Sequence, residues 1–294
     1  MRKWFAISAA LCVCVVVQAQ QAPATEVFLA PITISASAVT VGAPVNISNN
    51  AGYDNQPSFL PDGSGVLFTS NRDGKQNDIY RWDIAAKALV QLTRTAENEY
   101  SPIVSPDGKS FVCVHGTEQS LFRYNLDGSN PRLAYQHGKE LIGYHVWITN
   151  TEIAAFILGA GGSPNTLQVI DTTTGKSETI TSQIGRSLLM RPGHATVSFV
   201  TKVSPQSSEI KQFDIKTHVV SSIVPDTLKA AEDLTWLPDG QRLVMGQGSK
   251  LFVWTDGLGW NEVADLGTAG VTKITRLAAS RDGKWLAIVG EPAK

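Results

Sequence analysis

The chain has 294 residues, of which 43% are hydrophobic and 17% charged, and its formal net charge is −1. A globular protein of this length and composition buries enough surface to fold without disulfides or a structural metal. The small net charge provides no electrostatic basis for binding nucleic acid, so we expect no nucleic-acid partner.

The N-terminus has the pattern of a signal peptide. Arg2 and Lys3 precede an apolar run over residues 4–17, and Val17-Gln18-Ala19 fits a small-residue cleavage site. The run is too short to span a bilayer comfortably. We therefore predict a signal peptide over residues 1–19 and one domain over residues 20–294. The protein is expected to be periplasmic or secreted, of bacterial type, with no membrane span after cleavage.

The first elements of the predicted domain are two strands, at residues 26–30 and 44–48, joined by a long loop over residues 35–42. The next stretch, residues 53–84, alternates strands and tight turns. Pro61-Asp62-Gly63 supplies the backbone conformations of a turn, and Val66-Leu67-Phe68 is an apolar run that suits a buried strand. A second turn at Arg72-Asp73-Gly74 leads to the aromatic and β-branched strand at residues 79–82. A fourth strand is predicted at residues 89–92.

The same unit returns along the chain. Asp-Gly turns recur at residues 106–108, 238–240 and 281–283, and degenerate copies lie near residues 147–150 and 191–194. A spacing of about 43 to 45 residues with four strands per unit is typical of a β-propeller blade. We predict an all-β, six-bladed β-propeller with four-stranded blades. The last repeat has only two strands, so we expect the N-terminal strands to complete it and close the ring.

The motif Phe59-Leu60-Pro61-Asp62-Gly63, followed by residues 68–74 and Asp78-Ile79-Tyr80, resembles the WD40-like (PD40) repeat of TolB-type propellers. The resemblance covers most of the predicted mature chain. It implies a propeller that binds a protein or peptide partner in the cell envelope. TolB also has a separate N-terminal α/β domain, for which this sequence has no room.

The chemistry-bearing residues give little sign of an active site. No Gly-x-Ser-x-Gly motif is present, which argues against a serine peptidase. The five histidines are widely spaced, so we expect neither a metal nor another cofactor. Cys113 is the single cysteine after the predicted signal peptide and lies in an apolar strand, where we expect a buried thiol. The alternative is a lyase or lactonase that acts on a carbohydrate or lactone with a metal in the channel. That alternative requires His115, His145 and carboxylates to converge.

The loops opposite the Asp-Gly turns are the predicted binding surface, because in a propeller they surround the mouth of the channel. They combine tyrosines with charges of both signs, which favours a protein partner. We predict a monomeric, non-enzymatic scaffold with no catalytic residue. Its partner-binding residues are predicted to be Tyr53, Asp54, Arg72, Asp73, Glu97, Glu99, Tyr100, Lys139, His145, Arg186, Glu232 and Asp233.

Overall fold

The computed structural model describes residues 24–293, so the predicted signal peptide at residues 1–19 lies outside it. The described residues form 25 strands and a single 3-10 helix at Gly267–Ala269. None of their helices is long and apolar enough to cross a membrane.

The strands form six antiparallel sheets arranged as a six-bladed propeller, which confirms the predicted fold class. The first three strands of the described residues belong to the last blade: β1 (Glu26–Ile34), β2 (Val39–Val41) and β3 (Val45–Asn46). Blade 1 follows with β4 (Asp54–Phe59), β5 (Gly65–Ser70), β6 (Asp78–Asp83) and β7 (Ala88–Gln91). Blade 2 contains β8 (Glu99–Val104), β9 (Ser110–His115), β10 (Ser120–Asn125) and β11 (Arg132–Tyr135).

The two blades with degenerate motifs are also complete. Blade 3 contains β12 (Ile142–Trp147), β13 (Glu152–Ile157), β14 (Thr166–Asp171) and β15 (Ser177–Ser182). Blade 4 contains β16 (Ile184–Met190), β17 (Thr196–Ser204), β18 (Ser207–Asp214) and β19 (Val220–Val224). Blade 5 follows with β20 (Leu234–Trp236), β21 (Leu243–Gln247), β22 (Lys250–Thr255) and β23 (Gly259–Asp265). The degenerate motifs therefore still encode four strands each.

Blade 6 closes the ring. It contains β24 (Val271–Ala279) and β25 (Trp285–Pro292), and β1 adds to the free edge of β25. The pairing of β1 with β25 runs from Glu26 opposite Gly290 to Pro31 opposite Trp285. Both β2 and β3 pair with the outer edge of β1, which confirms closure by the N-terminal strands. The predicted long loop over residues 35–42 is wrong in one respect, because β2 lies within it. This extra strand covers the outer edge of β1.

The Asp-Gly turns join the first and second strands of their blades. Gly63, Gly108, Gly240 and Gly283 have φ angles of 73°, 68°, 63° and 70°, a left-handed conformation that glycine adopts without steric cost. The Asp62 side chain accepts a hydrogen bond from the Ser64 backbone N–H at 3.0 Å. These turns lie on one side of the ring, which we name the turn face. The opposite side is the loop face.

The core consists of six apolar clusters, one at each contact between neighbouring blades. Between blades 1 and 2, for example, Leu67 and Ile79 pack with Phe111 and Cys113, and all four are fully buried. The Cys113 thiol is therefore a core group, as predicted, and burial raises its pKa well above the ordinary value. This packing fixes the six inner strands around a rigid channel.

Candidate functional site

The channel is the space on the ring axis that is enclosed by the six inner strands, β4, β8, β12, β16, β20 and β24. It contains a cavity of about 260 Å³ to which every one of these strands contributes. Pro61 and Arg281, which lie at or beside the turns after β4 and β24, line the cavity at one end. The cavity therefore occupies the half of the channel that is nearer the turn face.

Arg276 is the central cationic group of this cavity. Its side chain extends from blade 6 across the channel to blade 3, where a terminal nitrogen donates a hydrogen bond to the Tyr144 hydroxyl at 3.2 Å. The guanidinium carbon also lies 4.9 Å from the centroid of the Tyr144 ring, a cation–π contact. Its buried Nε has no hydrogen-bond partner, and no carboxylate among residues 24–293 forms an ion pair with it. An uncompensated guanidinium on the channel axis favours an anionic ligand.

Arg186 also reaches the channel, but the protein itself neutralises it. Its Nε donates to Asp233 Oδ1 at 3.0 Å, and a terminal nitrogen donates to Asp233 Oδ2. The same terminal nitrogen lies 3.3 Å from the Thr275 carbonyl oxygen, and Glu232 is 3.9 Å from Nε. Burial disfavours the charged guanidinium, but the hydrogen bonds and charge of Asp233 outweigh it and raise the pKa of Arg186.

His145 supplies a neutral imidazole to the channel wall. It is 3% exposed, and neither ring nitrogen has a hydrogen-bond partner. Burial, with a smaller contribution from the charge of Arg123, lowers the pKa of His145 to about 3. The ring is therefore uncharged at neutral pH, and its two nitrogens, one a donor and one an acceptor, are buried without a partner in the described structure.

Local distortions of the inner strands shape this site. Gln56 and Ser101 have φ angles of 58° and 54°, and the strand pairing shifts register beside each of them. Gln56 Oε1 accepts hydrogen bonds from the Ser101 backbone N–H and from Thr69 Oγ1, both at 2.9 Å. Such bulges redirect side chains and are common beside active sites. The Ser101 hydroxyl itself has no partner within the described structure.

The predicted partner-binding residues separate into three groups. His145 and Arg186 line the channel cavity, whereas Glu232 and Asp233 contact Arg186 and line a neighbouring cavity with it. The side chains of Asp73, Glu97 and Lys139 are exposed on the loop face. The remaining residues are partly or fully buried between blades: Tyr53, Asp54, Arg72, Glu99 and Tyr100.

Two members of the buried group differ from the expectation of exposed loop residues. Asp54 and Glu99 begin inner strands and are fully buried. Burial raises the pKa of Asp54 to about 6 and also raises that of Glu99. Glu99 Oε1 accepts hydrogen bonds from the Tyr124 hydroxyl at 2.7 Å and from Thr95 Oγ1 at 3.0 Å. Glu99 therefore links β10 to the loop before β8, and Asp54 Oδ2 accepts a hydrogen bond from Asn50 Nδ2 at 3.1 Å in the loop before β4.

The sequence prediction omitted Arg276 and did not include Tyr144 among the partner-binding residues. A signal for the channel residues nevertheless exists in the repeat. The residue seven positions before the turn glycine lines the channel cavity in four blades, as Gln56, Ser101, Arg186 and Arg276, and in blade 5 it is Asp233, which pairs with Arg186. The distance from the turn glycine therefore indicates one inner-strand position of interest in five of the six blades.

Comparison with known proteins gives two kinds of similarity. Residues 29–160 match the family model of oligogalacturonate lyases. The fold resembles TolB from Acinetobacter baumannii, with 15% identity over 92% of this chain and 65% of that one and a TM-score of 0.58. An oligogalacturonate lyase in complex with manganese is 19% identical over 90% of this chain and 77% of that one, with a TM-score of 0.54. The lyase from Vibrio parahaemolyticus is also 19% identical over 89% of this chain and 78% of that one, with a TM-score of 0.54.

These findings correct one prediction. The lyase family match, together with the lyase structures, points to an enzyme, so the expectation of a non-enzymatic protein is wrong. The identities to the solved structures are low, and those structures therefore support the propeller fold and not a shared substrate. The chain also spans about two thirds of the length of the Acinetobacter TolB.

The manganese of the solved lyase does not fit the residues described here. Between residues 24 and 293, no group of three or more His, Cys, Asp and Glu side chains is placed to hold a metal ion. His115 stacks on Phe122 with ring centroids 4.1 Å apart and lies 3.9 Å from Glu99. His145 lies at the channel wall instead. The two histidines do not form the convergent site that the metal-dependent alternative requires, and we derive no step through a metal.

Proposed function

We propose that the protein is a propeller enzyme that cleaves an acidic oligosaccharide by elimination, with the substrate carboxylate bound in the channel. The observation that carries this proposal is the Arg276–Tyr144 pair, which places an unpaired guanidinium beside a hydroxyl in a cavity lined by all six blades. The match of residues 29–160 to oligogalacturonate lyases supports a galacturonate-containing substrate.

Elimination from a uronate requires three events. A base removes the proton on the carbon next to the carboxylate, a carbon–carbon double bond forms, and the bond to the leaving glycosidic oxygen breaks while that oxygen takes up a proton. The negative charge that builds up on the carboxylate during proton removal is the main electrostatic cost of the reaction. Fixed positive groups aimed at that charge lower the barrier.

Arg276 is suited to stabilise the carboxylate, because its guanidinium is not already paired with an acid. The neutral imidazole of His145 is the candidate proton acceptor, since its ring nitrogens have no protein partner. A bound anion beside this ring favours the protonated form and raises its basicity as the site fills. The Tyr144 hydroxyl, held by Arg276, is the candidate donor to the leaving oxygen.

The test is an elimination assay with size-defined oligogalacturonides. The product is an unsaturated uronate, whose conjugated double bond is followed by ultraviolet absorbance and mass spectrometry. We expect product from the purified protein spanning residues 20–294. Hydrolysis products without unsaturation, or no turnover of any acidic oligosaccharide, would contradict the proposal.

We also propose that the protein is exported to the periplasm or secreted. The basic and apolar N-terminal pattern supports this, as does the TolB-like fold. N-terminal sequencing of protein recovered from the periplasmic fraction or the culture medium should begin at Gln20. A retained Met1 in the cytoplasmic fraction would contradict export.

A protein partner on the loop face is a second candidate function, which is compatible with catalysis in the channel. The charged residues that remain exposed there support it, namely Asp73, Glu97 and Lys139. The triple alanine variant at these positions leaves the buried acids intact. We expect a protein that is retained from envelope extract by the parent to be lost by this variant. Equal retention by both would place the binding surface elsewhere.

A further inference from the structure

We propose that Asp233 sets the charge selectivity of the channel. By neutralising Arg186, Asp233 leaves Arg276 as the one uncompensated guanidinium at the inner end of the cavity, so that this position accepts a sugar unit with one carboxylate and discriminates against a dianionic phosphate ester. The inference rests on the proposed use of the channel for a sugar acid. The experiment below measures ligand binding and not elimination, so failure of the charge selectivity can be distinguished from failure of the proposed reaction.

The Arg186–Asp233 pair has a fixed geometry. Arg186 on β16 of blade 4 and Asp233, directly before β20 of blade 5, form two N–H···O bonds in parallel, one of them 3.0 Å long. A bidentate arginine–carboxylate pair is strong and directionally fixed. The additional contact to the Thr275 carbonyl oxygen ties the same guanidinium to blade 6. Arg186 is therefore not free to turn toward a ligand.

The acids and cations around the Arg186–Asp233 pair balance each other. Glu232 lies 3.2 Å from Lys202 Nζ, so this second acid is matched by a second cation. The two acids thus offset Arg186 and Lys202, and His145 is uncharged at neutral pH. Arg276 remains as the single uncompensated charge at the inner end of the cavity. Arg281 lies at the turn-face mouth, where its exposed side chain is screened by water.

The charge balance of the channel determines which anionic ligands it can hold. A carboxylate brings one negative charge to Arg276, which balances it. A phosphate ester brings a charge of nearly −2 and three acceptor oxygens, and its second charge meets no free cation at the inner end of the cavity because Asp233 already holds Arg186. Selectivity of this kind comes from a repulsive group as much as from an attractive one.

The experiment compares D-galacturonate with D-galactose 6-phosphate, which are sugars of similar size. Binding is measured by calorimetry at a pH above the second phosphate pKa of about 6. The parent protein should bind galacturonate more tightly. In Asp233→Asn, which preserves shape and removes the charge, Arg186 becomes a second available cation. We expect the preference for galacturonate over the phosphate to fall by roughly tenfold or more.

The double variant Arg186→Met/Asp233→Leu is the matched control, because it removes the whole neutral pair. We expect it to bind galacturonate with a preference within about threefold of the parent's, since the net charge of the channel is unchanged. A purely structural role of Asp233 would alter the melting temperature of the variants without changing this preference.

An unchanged preference in folded Asp233→Asn would overturn the inference. If that variant does not fold, loss of galacturonate binding in the folded double variant would overturn it instead. If the parent binds neither sugar, the proposed use of the channel is wrong and the inference falls with it. Galacturonate binding without elimination would reject only the proposed reaction.

Discussion

The buried acids at the start of β4 and β8 and the arginines of β16 and β24 all lie on inner strands, but their surroundings differ. Glu99 is fully buried and its Oε1 accepts hydrogen bonds from Tyr124 and Thr95. Arg276 lines a cavity and has an aromatic hydroxyl as partner, but no acid. Glu99 Oε2 has no hydrogen-bond partner in the described structure but is enclosed in the core, whereas Arg276 lines a cavity that a ligand can enter. Enclosure in the core therefore identifies a structural group, and an unpaired charge that lines a cavity identifies a functional one.

The largest expected effect is on Arg276. Arg276→Met keeps much of the side-chain volume and removes the charge, so we expect elimination activity to fall by about 10² to 10³. The melting temperature should change little, because no ion pair is broken. Arg132→Met is the matched control, since Arg132 is exposed on an outer strand and its side chain donates to the Asn130 carbonyl oxygen. Equal activity of the two variants would remove Arg276 from the site.

The buried acids should behave in the opposite way. Glu99→Ala removes the acceptor of the Tyr124 hydroxyl and leaves a cavity between blades 1 and 2. We expect the free energy of unfolding to fall by about 2 to 3 kcal/mol, measured by denaturant titration. Glu97→Ala, two residues away and exposed, should change stability by less than about 0.5 kcal/mol. Equal losses in the two variants would contradict a specific structural role for Glu99.

Asp54 adds a pH dependence to this comparison. Its pKa is raised from 3.8 to about 6 in the folded state, so between these values the folded protein holds a proton that the unfolded chain has lost. The free energy of unfolding therefore falls as the pH rises through this window, by up to about 2 to 3 kcal/mol. Asp54→Asn should remove that decrease, which unfolding titrations at the two ends of the window will measure.

Asp127→Asn is the control of opposite sign. Hydrogen bonds from Ser129 lower the pKa of this exposed turn carboxyl, so its contribution to stability is present at neutral pH and is lost as the pH falls. Its replacement should therefore weaken the protein at neutral pH more than in acid. If Asp54→Asn shows the same sign as Asp127→Asn, the folded-state pKa of Asp54 is not raised.

The smallest expected effect is on Tyr144. Tyr144→Phe removes the hydroxyl that accepts from Arg276 and keeps the ring under the guanidinium. We expect kcat to fall about tenfold with little change in galacturonate affinity, because the cation–π contact still positions Arg276. An equal loss in affinity would mean that the hydroxyl orients Arg276 and takes no part in proton transfer.

The fold was accessible from the sequence because its information is local and repeated. Each Asp-Gly turn specifies a hairpin through a glycine with positive φ, and the period of these turns gives the blade count. Even the incomplete last repeat indicated that the N-terminal strands close the ring. The strand β2 was missed because only three residues pair there, within a stretch that is rich in small residues.

The site was less accessible because its contacts are long-range. Arg276 and Tyr144 are 132 residues apart and meet only when opposite blades face each other across the axis. Asp54 and Glu99 were assigned to loops because a polar residue before an inner strand looks the same in sequence whether it is buried or exposed. The seven-residue distance to the turn glycine indicates Arg276 and Arg186, but it does not indicate Tyr144 or His145, whose blade has a degenerate turn.

The central claim is that an acidic sugar binds in the channel at Arg276. The most direct test is a crystal structure of the protein spanning residues 20–294 with bound D-galacturonate, which lacks a glycosidic bond to cleave. We predict that the sugar lies in the channel cavity with its carboxylate against the Arg276 guanidinium. Galacturonate bound on the loop face, or a channel that excludes it at saturating concentration, would contradict this account.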